Sequence, residues 1–142
     1  MAKKKSKVAQ QHAALPYLVV DGAVQVLLVT SRQTGRWVIP KGWPMKGLKP
    51  HQAAAREAYE EAGIEGTVWE QPVAVFTYLK RLSGDKRKRC TVDIYPIAVE
   101  RQLDDWPERE QRQREWMSPA EAASRVAEAE LRTFLAGFTL PV

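Results

Sequence analysis

The sequence predicts an α+β domain, an α/β/α sandwich whose mixed sheet carries one long helix on one side and a C-terminal helix or helices on the other. Three observations predict it. Residues 24–29, Val-Gln-Val-Leu-Leu-Val, are nearly continuous in apolar residues, the pattern of a strand buried on both faces. Residues 50–62 have helical periodicity, opened by Pro50 at the first helical position and closed by Gly63 at the position that favours a left-handed backbone. Leu131, Phe134, Leu135 and Phe138 repeat helical spacing near the C-terminus.

The elements follow in order. Residues 1–12 read as a flexible basic arm, and residues 13–142 as a single domain. Residues 15–20 and 24–30 are β-rich runs, and Asp21-Gly22 between them is a hairpin signal. Residues 36–39 form a short strand leading into a Gly/Pro-rich loop and the long helix. Ala55, Ala58, Tyr59 and Ala62 are its expected core stripe. Residues 67–69, 73–79 and 92–99 are further strands, with the basic stretch 80–89 as a hairpin tip or insertion between the last two. A charged irregular segment, 103–112, precedes a short strand at 114–117. Ser118-Pro119-Ala120-Glu121 is then a capping-box helix start. Trp37 and Trp116 read as core, and His12 and His51 as surface residues without ligand spacing.

The bulk properties narrow the function. The chain has 142 residues, 44% hydrophobic and 27% charged, with no apolar run long enough to span a membrane and no signal-peptide core. The lone Cys90 excludes an internal disulfide and suits a reducing cytoplasm. Four lysines at positions 3, 4, 5 and 7 supply most of the net charge of +5. The body is therefore nearly neutral, which favours focused binding of a small anion over broad coating of nucleic acid.

Chemistry concentrates on the long helix. Glu57, Glu60 and Glu61 lie at i, i+3 and i+4, so a helix brings three carboxylates to one face. Such crowding repels unless a hard divalent cation such as Mg²⁺ or Mn²⁺ is present to take oxygen ligands.

The run Gly42…Arg56-Glu57-Ala58-Tyr59-Glu60-Glu61-Ala62-Gly63-Ile64 resembles the Nudix box. Its Arg-Glu-x-x-Glu-Glu-x-Gly half matches in full, whereas Leu48 stands where the pattern has its first Glu. Ser31-Arg32 with residues 36–40, Leu103-Asp104-Asp105-Trp106 and Arg114-Glu115-Trp116 resemble diphosphoinositol polyphosphate phosphohydrolases. Pro40-Lys41-Gly42 resembles the diadenosine tetraphosphate hydrolases as well.

The resemblance implies a Nudix fold and divalent-metal-dependent hydrolysis of a phosphoanhydride in a polyphosphorylated small molecule. It implies Glu57, Glu61 and the main-chain carbonyl of Lys41 as metal ligands. Glu60 is the third ligand or the base, with Glu57 the other candidate base and Arg56 pairing with Glu60 as support. Ser31, Arg32, Gly42, Trp43, Lys80, Arg87 and Arg89 are the expected substrate contacts, with Arg112 and Arg114 able to complete a cationic ring. Trp43 is placed to stack on a nucleobase or to cap its loop. Two other readings stand beside this one: removal of pyrophosphate from RNA 5′ ends, and a non-catalytic module that binds nucleotide or polyphosphate.

Overall fold

The computed structural model describes residues 8–140. Eight strands form one mixed sheet: β1 (Ala9–Val20), β2 (Ala23–Thr30), β3 (Trp37–Val38), β4 (Lys41–Gly42), β5 (Ile64–Val68), β6 (Ala74–Arg81), β7 (Arg87–Gln102) and β8 (Arg114–Met117). The helices are α1 (Pro50–Ala62), α2 (Pro119–Arg125) and α3 (Ala129–Ala136), with one 3-10 turn at Arg109–Gln111. The main path of the sheet is β3-β2-β1-β7-β5, with β4 beside β1, β6 beside β7 and β8 beside β2. β1 and β7 are parallel, and the other pairings are antiparallel.

Side-chain alternation along β2 generates the two outer layers. Val26 and Leu28 join Leu15, Phe76, Leu131 and Leu135 in the core under α2 and α3. Leu27 and Val29 point the other way and pack with Ala54, Ala58 and Ala62 of α1. All four β2 residues are fully buried, as the two-sided strand pattern requires. Each such side chain contributes roughly 1.5–3 kcal/mol of burial. Losing either helical layer would therefore expose a whole core face.

The α1 stripe is turned from its expected position. Ala54, Ala58 and Ala62 are buried, whereas Ala55 and Tyr59 are only half-buried. Pro50 opens the helix, and the Lys49 amide donates to Gln52 Oε1 at 2.8 Å. Gly63 closes it with φ 67° and ψ 35°. Ser118 caps α2 by accepting from the Glu121 amide at 3.1 Å. Trp37 and Trp116 are half-buried, each against one of the two cores.

The expected N-terminal arm does not reach residue 12. Residues 1–7 lie outside the described residues, but Ala9 to His12 belong to β1 and pair in parallel with Cys90 to Asp93 of β7. Gln11 and His12 are buried. Their polar groups find partners far along the chain: Tyr78 Oη donates to Gln11 Oε1 at 2.7 Å, and His12 Nδ1 lies 2.6 Å from Asp93 Oδ1. Those partners convert a stretch that reads as a solvated tail into a central strand. The surface reading of His12 is corrected on the same ground.

Candidate active site

Helix periodicity separates the three carboxylates. At about 100° per residue, positions four apart nearly coincide, so Glu57 and Glu61 point together. Both are buried, at 9% and 6% exposure, on the edge of the α1 face that packs the sheet. Glu60 is turned away. Its side chain is about one-third exposed and sits 3.8 Å from the Arg56 guanidinium. Partly exposed i, i+4 pairs of this kind contribute only about 0.3–0.5 kcal/mol.

β4 brings the main chain to the carboxylates. Its two residues pair with His12 and Ala13 of β1, and the Lys41 amide donates to Glu61 Oε1 at 3.4 Å. Gly42 lies so close to the Glu57 carboxylate that any Cβ there would collide with it. A glycine is required at that position by space.

The segment between β7 and β8 completes the wall. It reads as irregular because its hydrogen bonds go to the exposed end of α1 and not to a ladder of its own. The last carbonyls of a helix have no intrahelical donor. Here Glu60 O accepts from the Glu108 amide at 3.0 Å, and Glu61 O from Trp106 Nε1 at 3.1 Å. Ala62 O accepts from Arg114 Nη1 at 2.8 Å, and Gly63 O from the Leu103 amide at 2.8 Å. The Arg114 guanidinium also lies 3.9 Å over the Trp106 ring. Arg114 is thus committed to the helix end and does not join a phosphate-binding ring.

This docking sets Glu108 and Arg112 beside the carboxylate pair. The Arg112 side chain is 8% exposed, and its Nη2 lies 3.5 Å from Glu61 Oε2. Its Nε donates to Glu108 Oε1 at 2.7 Å and its Nη1 to Thr30 O at 2.9 Å. Burial pushes Glu61 up to about 8; Arg112 opposes that rise, and the neighbouring Glu57 adds to it. Burial likewise raises Glu57. Burial lowers Lys41, against the pull of Glu128 and Glu61.

These residues line one cavity of about 290 Å³. Of the expected site residues, Ser31, Arg32, Lys41, Gly42, Trp43, Glu57, Glu61 and Lys80 meet there. Arg56, Glu60, Arg87 and Arg89 do not. Arg87 bonds back to the Asp85 and Lys86 carbonyls at the hairpin tip. Arg32 donates to Gln111 Oε1 at 3.0 Å, and Lys80 Nζ lies 5.9 Å from the Trp43 ring centre. Glu108 and Gln11 line the cavity too, and neither had a local signal, since only chain folding over long separations brings them in.

The donor set suits a hard divalent ion. Two buried carboxylates lie side by side, with Arg112 beside Glu61 and a main-chain segment threaded past both. Among the described residues no group of three or more His, Cys, Asp or Glu is gathered closely enough to hold a metal alone. Among the described residues no helix is long and apolar enough to cross a membrane.

Comparison with known proteins gives a consistent picture. The NUDIX domain model matches residues 10–138. The chain is 34% identical over 102 residues to Nudix hydrolase 12, mitochondrial, of Arabidopsis thaliana, covering 70% of this chain and 50% of that protein. It is 36% identical over 101 residues to human diphosphoinositol polyphosphate phosphohydrolase 3-beta, covering 69% of this chain and 57% of that one. The chain thus spans little more than half the length of these curated relatives. Among solved structures, a binary complex of a C. elegans Ap4A hydrolase superposes with a TM-score of 0.67 at 23% identity, covering 90% of this chain and 93% of that one. The E. coli ORF135 protein gives 0.59 at 26% identity, with 91% of each chain covered.

Proposed function

The chain belongs to the NUDIX domain family, and from that premise we propose that it hydrolyses a phosphoanhydride bond in a polyphosphorylated small molecule. The substrate is of diadenosine polyphosphate or diphosphoinositol polyphosphate type, the first in line with the Ap4A hydrolase fold match and the second with the human relative. The observation that carries this reading is the cavity itself. One wall holds buried Glu57 and Glu61, and Lys41, Lys80, Arg32 and Arg112 line the same space. Carboxylates for a metal and cations for phosphate are what this reaction class needs at one point.

Glu57, Glu61 and the Lys41 carbonyl would hold the ion, with Mg²⁺ preferred and Mn²⁺ as the alternative. When bound, the ion neutralises phosphate charge and lowers the pKa of water. Glu57 lines the cavity and Glu60 does not, which favours Glu57 as the group that takes the proton of the attacking water. As the water oxygen bonds to phosphorus, the anhydride P–O bond breaks. Lys80 and Arg32, which line the cavity, would receive the charge on the departing phosphate. Ser31, Gly42 and Trp43 border the same space and complete the proposed substrate contacts. Leu48 is half-buried in the loop before α1 and outside the cavity lining, so its replacement of an acidic residue leaves the carboxylate pair intact.

Arg87 and Arg89 favour a second substrate. They sit on the β6–β7 hairpin outside the cavity lining, where a longer polyanion such as an RNA 5′ end would pass. The cytoplasm is the proposed location, supported by the free, buried Cys90; the first-named Arabidopsis relative is designated mitochondrial.

The test is a turnover panel with Mg²⁺: diadenosine polyphosphates, diphosphoinositol phosphates and 5′-triphosphate RNA. Release of phosphate or mononucleotide is expected from at least one small molecule, with a loss of 100-fold or more in Glu61→Gln. No turnover of any of them with Mg²⁺ or Mn²⁺ would leave only the binding-module reading.

A further inference from the structure

One strip of the sheet has no layer over it and no strand beside it. Among the described residues β6 pairs with β7 alone, so its other edge is open. The Leu82 amide donates to Lys86 O at 2.9 Å, continuing the register in which Lys80 faces Lys88 and Tyr78 faces Cys90. The even-numbered residues of β6 therefore hold the ladder. The amides and carbonyls of Val75, Thr77, Leu79 and Arg81 turn to the open edge. Glu130, in the first turn of α3, meets that edge: its Oε1 accepts from the Thr77 amide at 2.7 Å.

The same odd-numbered residues present their side chains on the α1 side of the sheet. Val75 stands opposite Asp93 and Leu79 opposite Arg89 on β7, in alternation with Tyr95 of the core under α1. α1 packs mainly on β1 and β5, and Val75 and Leu79 are left 57% and 59% exposed. Arg81 opposite Arg87 follows on the same face. Like charges set directly opposite each other destabilise a sheet, and the nearby acid is already committed. Asp93 is engaged by His12 and Tyr95. The side chains of Arg81 and Arg89 have no hydrogen bond or ion pair among the described residues.

We propose that the open edge of β6 is a docking site for an extended acidic segment of a partner protein, which adds to the sheet as an antiparallel strand. The main-chain groups of Val75, Thr77 and Leu79 pair with it, and its aliphatic side chains cover Val75 and Leu79. Its carboxylates lie at the hairpin end of β6, where they answer Arg81, Arg87 and Arg89. Glu130 is an internal stand-in for that strand. Its carboxylate sits where a carbonyl of the incoming strand must go, so it guards the edge in the free protein and is displaced on docking. A second copy of this chain fits poorly, because edges paired about Thr77 would bring two Glu130 carboxylates together. RNA supplies anions for the arginines but no strand for the edge and no aliphatic cover. The surface lies outside the cavity lining and does not depend on the hydrolase reading.

Fluorescence anisotropy with a labelled peptide tests this, using a run of glutamates followed by alternating valine and threonine. That order sets the acids beside Arg81 in an antiparallel strand. Micromolar binding to the full chain is expected. N-methylation of one alternate set of peptide amides should weaken it at least about 10-fold, and methylation of the other set should leave it within about twofold. Arg81→Ala and Leu79→Ala should each weaken it about 3- to 10-fold. Glu130→Ala should tighten it about 3- to 10-fold by removing the competitor for the Thr77 amide.

Where a small molecule is turned over in the cavity, Leu79→Ala and Glu130→Ala should leave the rate unchanged, so failure of this surface and failure of the hydrolase reading are told apart. No binding of the peptide, or equal binding of both methylated forms and the parent, would overturn the docking site. Binding of 5′-triphosphate RNA or anionic vesicles in its place, lost in Arg81→Ala, would assign the face to those partners and overturn it too. Unchanged peptide affinity in Glu130→Ala would overturn the guarding role.

Discussion

Glu61→Gln should make the metal-free protein more stable at alkaline pH while removing its activity. The sign follows from burial. In the folded chain Glu61 is held up to about 8, against an ordinary value of 4.5. Between those values the unfolded chain has lost the Glu61 proton and the folded chain still holds it. The folded state then binds more protons, and stability falls as pH rises, with a slope approaching about 1.4 kcal/mol per pH unit. The stabilising contribution is complete below about 4.5 and gone above about 8. Across the window the loss is on the order of 3–5 kcal/mol. Glutamine carries no titrating proton and keeps the shape. Arg112 retains Glu108 at 2.7 Å in the variant, so no buried cation is stranded.

Urea unfolding in EDTA, run at intervals from pH 5 to pH 9, measures this. The two proteins should nearly coincide at pH 5, and the variant should lead by about 1–2 M in midpoint at pH 8.5, given typical urea slopes. Millimolar Mg²⁺ should raise the wild-type midpoint at pH 8.5 and leave the variant unmoved. The reasoning is refuted if wild-type stability rises from pH 5 to pH 8 relative to the variant. That result would mean that the Arg112 pairing outweighs desolvation and that Glu61 is ionised in the empty site.

Three other substitutions probe the same geometry. Gly42→Ala should drive the Glu57 carboxylate aside, lowering Mn²⁺ affinity at least 10-fold by calorimetry and stability by about 1–3 kcal/mol. Arg114→Ala uncaps the carbonyls of Ala62 and Leu103 and uncovers Trp106, so it should cost about 2–3 kcal/mol in urea unfolding, without changing KM in folded protein. Ser118→Ala removes the α2 cap; a loss of about 1 kcal/mol with unchanged activity is expected, since α2 lines no part of the cavity.

The fold was legible wherever local pattern and burial agree. The two-sided strand at 24–29, the Pro50–Gly63 helix and the Ser118 cap depend on neighbours in sequence, and periodicity reports them. The Glu57/Glu61 pair was legible for the same reason, being one helical turn apart. Glu60 lies outside the cavity lining because i, i+3, i+4 spacing defines a broad face, and only packing against the sheet decides which part of it is covered. Residues 9–12 and Glu108 were missed because their partners lie far away along the chain. Gln11 is fixed by Tyr78, and Glu108 by the end of α1. Polar residues near a basic terminus and charged residues in an irregular stretch look solvated until those partners are known. Arg87 and Arg89 are a different case: dense charge reads as a cavity wall, yet on the β6–β7 hairpin it faces solvent outside the cavity lining.

The parallel pairing of β1 with β7 also sets an order of assembly. β1 is central, yet its residues 9–17 bond to residues 90–98, so its one parallel neighbour emerges about 80 residues later during synthesis. The β1–β2 hairpin and α1 can form from local contacts while the middle of the sheet is still missing. Until β7 arrives, one edge of β1 is unpaired, and Glu61 lacks Arg112. Closure of the long β1–β7 loop should therefore be the slow step of folding. Acquisition of the metal site should lag behind helix formation, which stopped-flow circular dichroism and Mn²⁺ uptake can time separately.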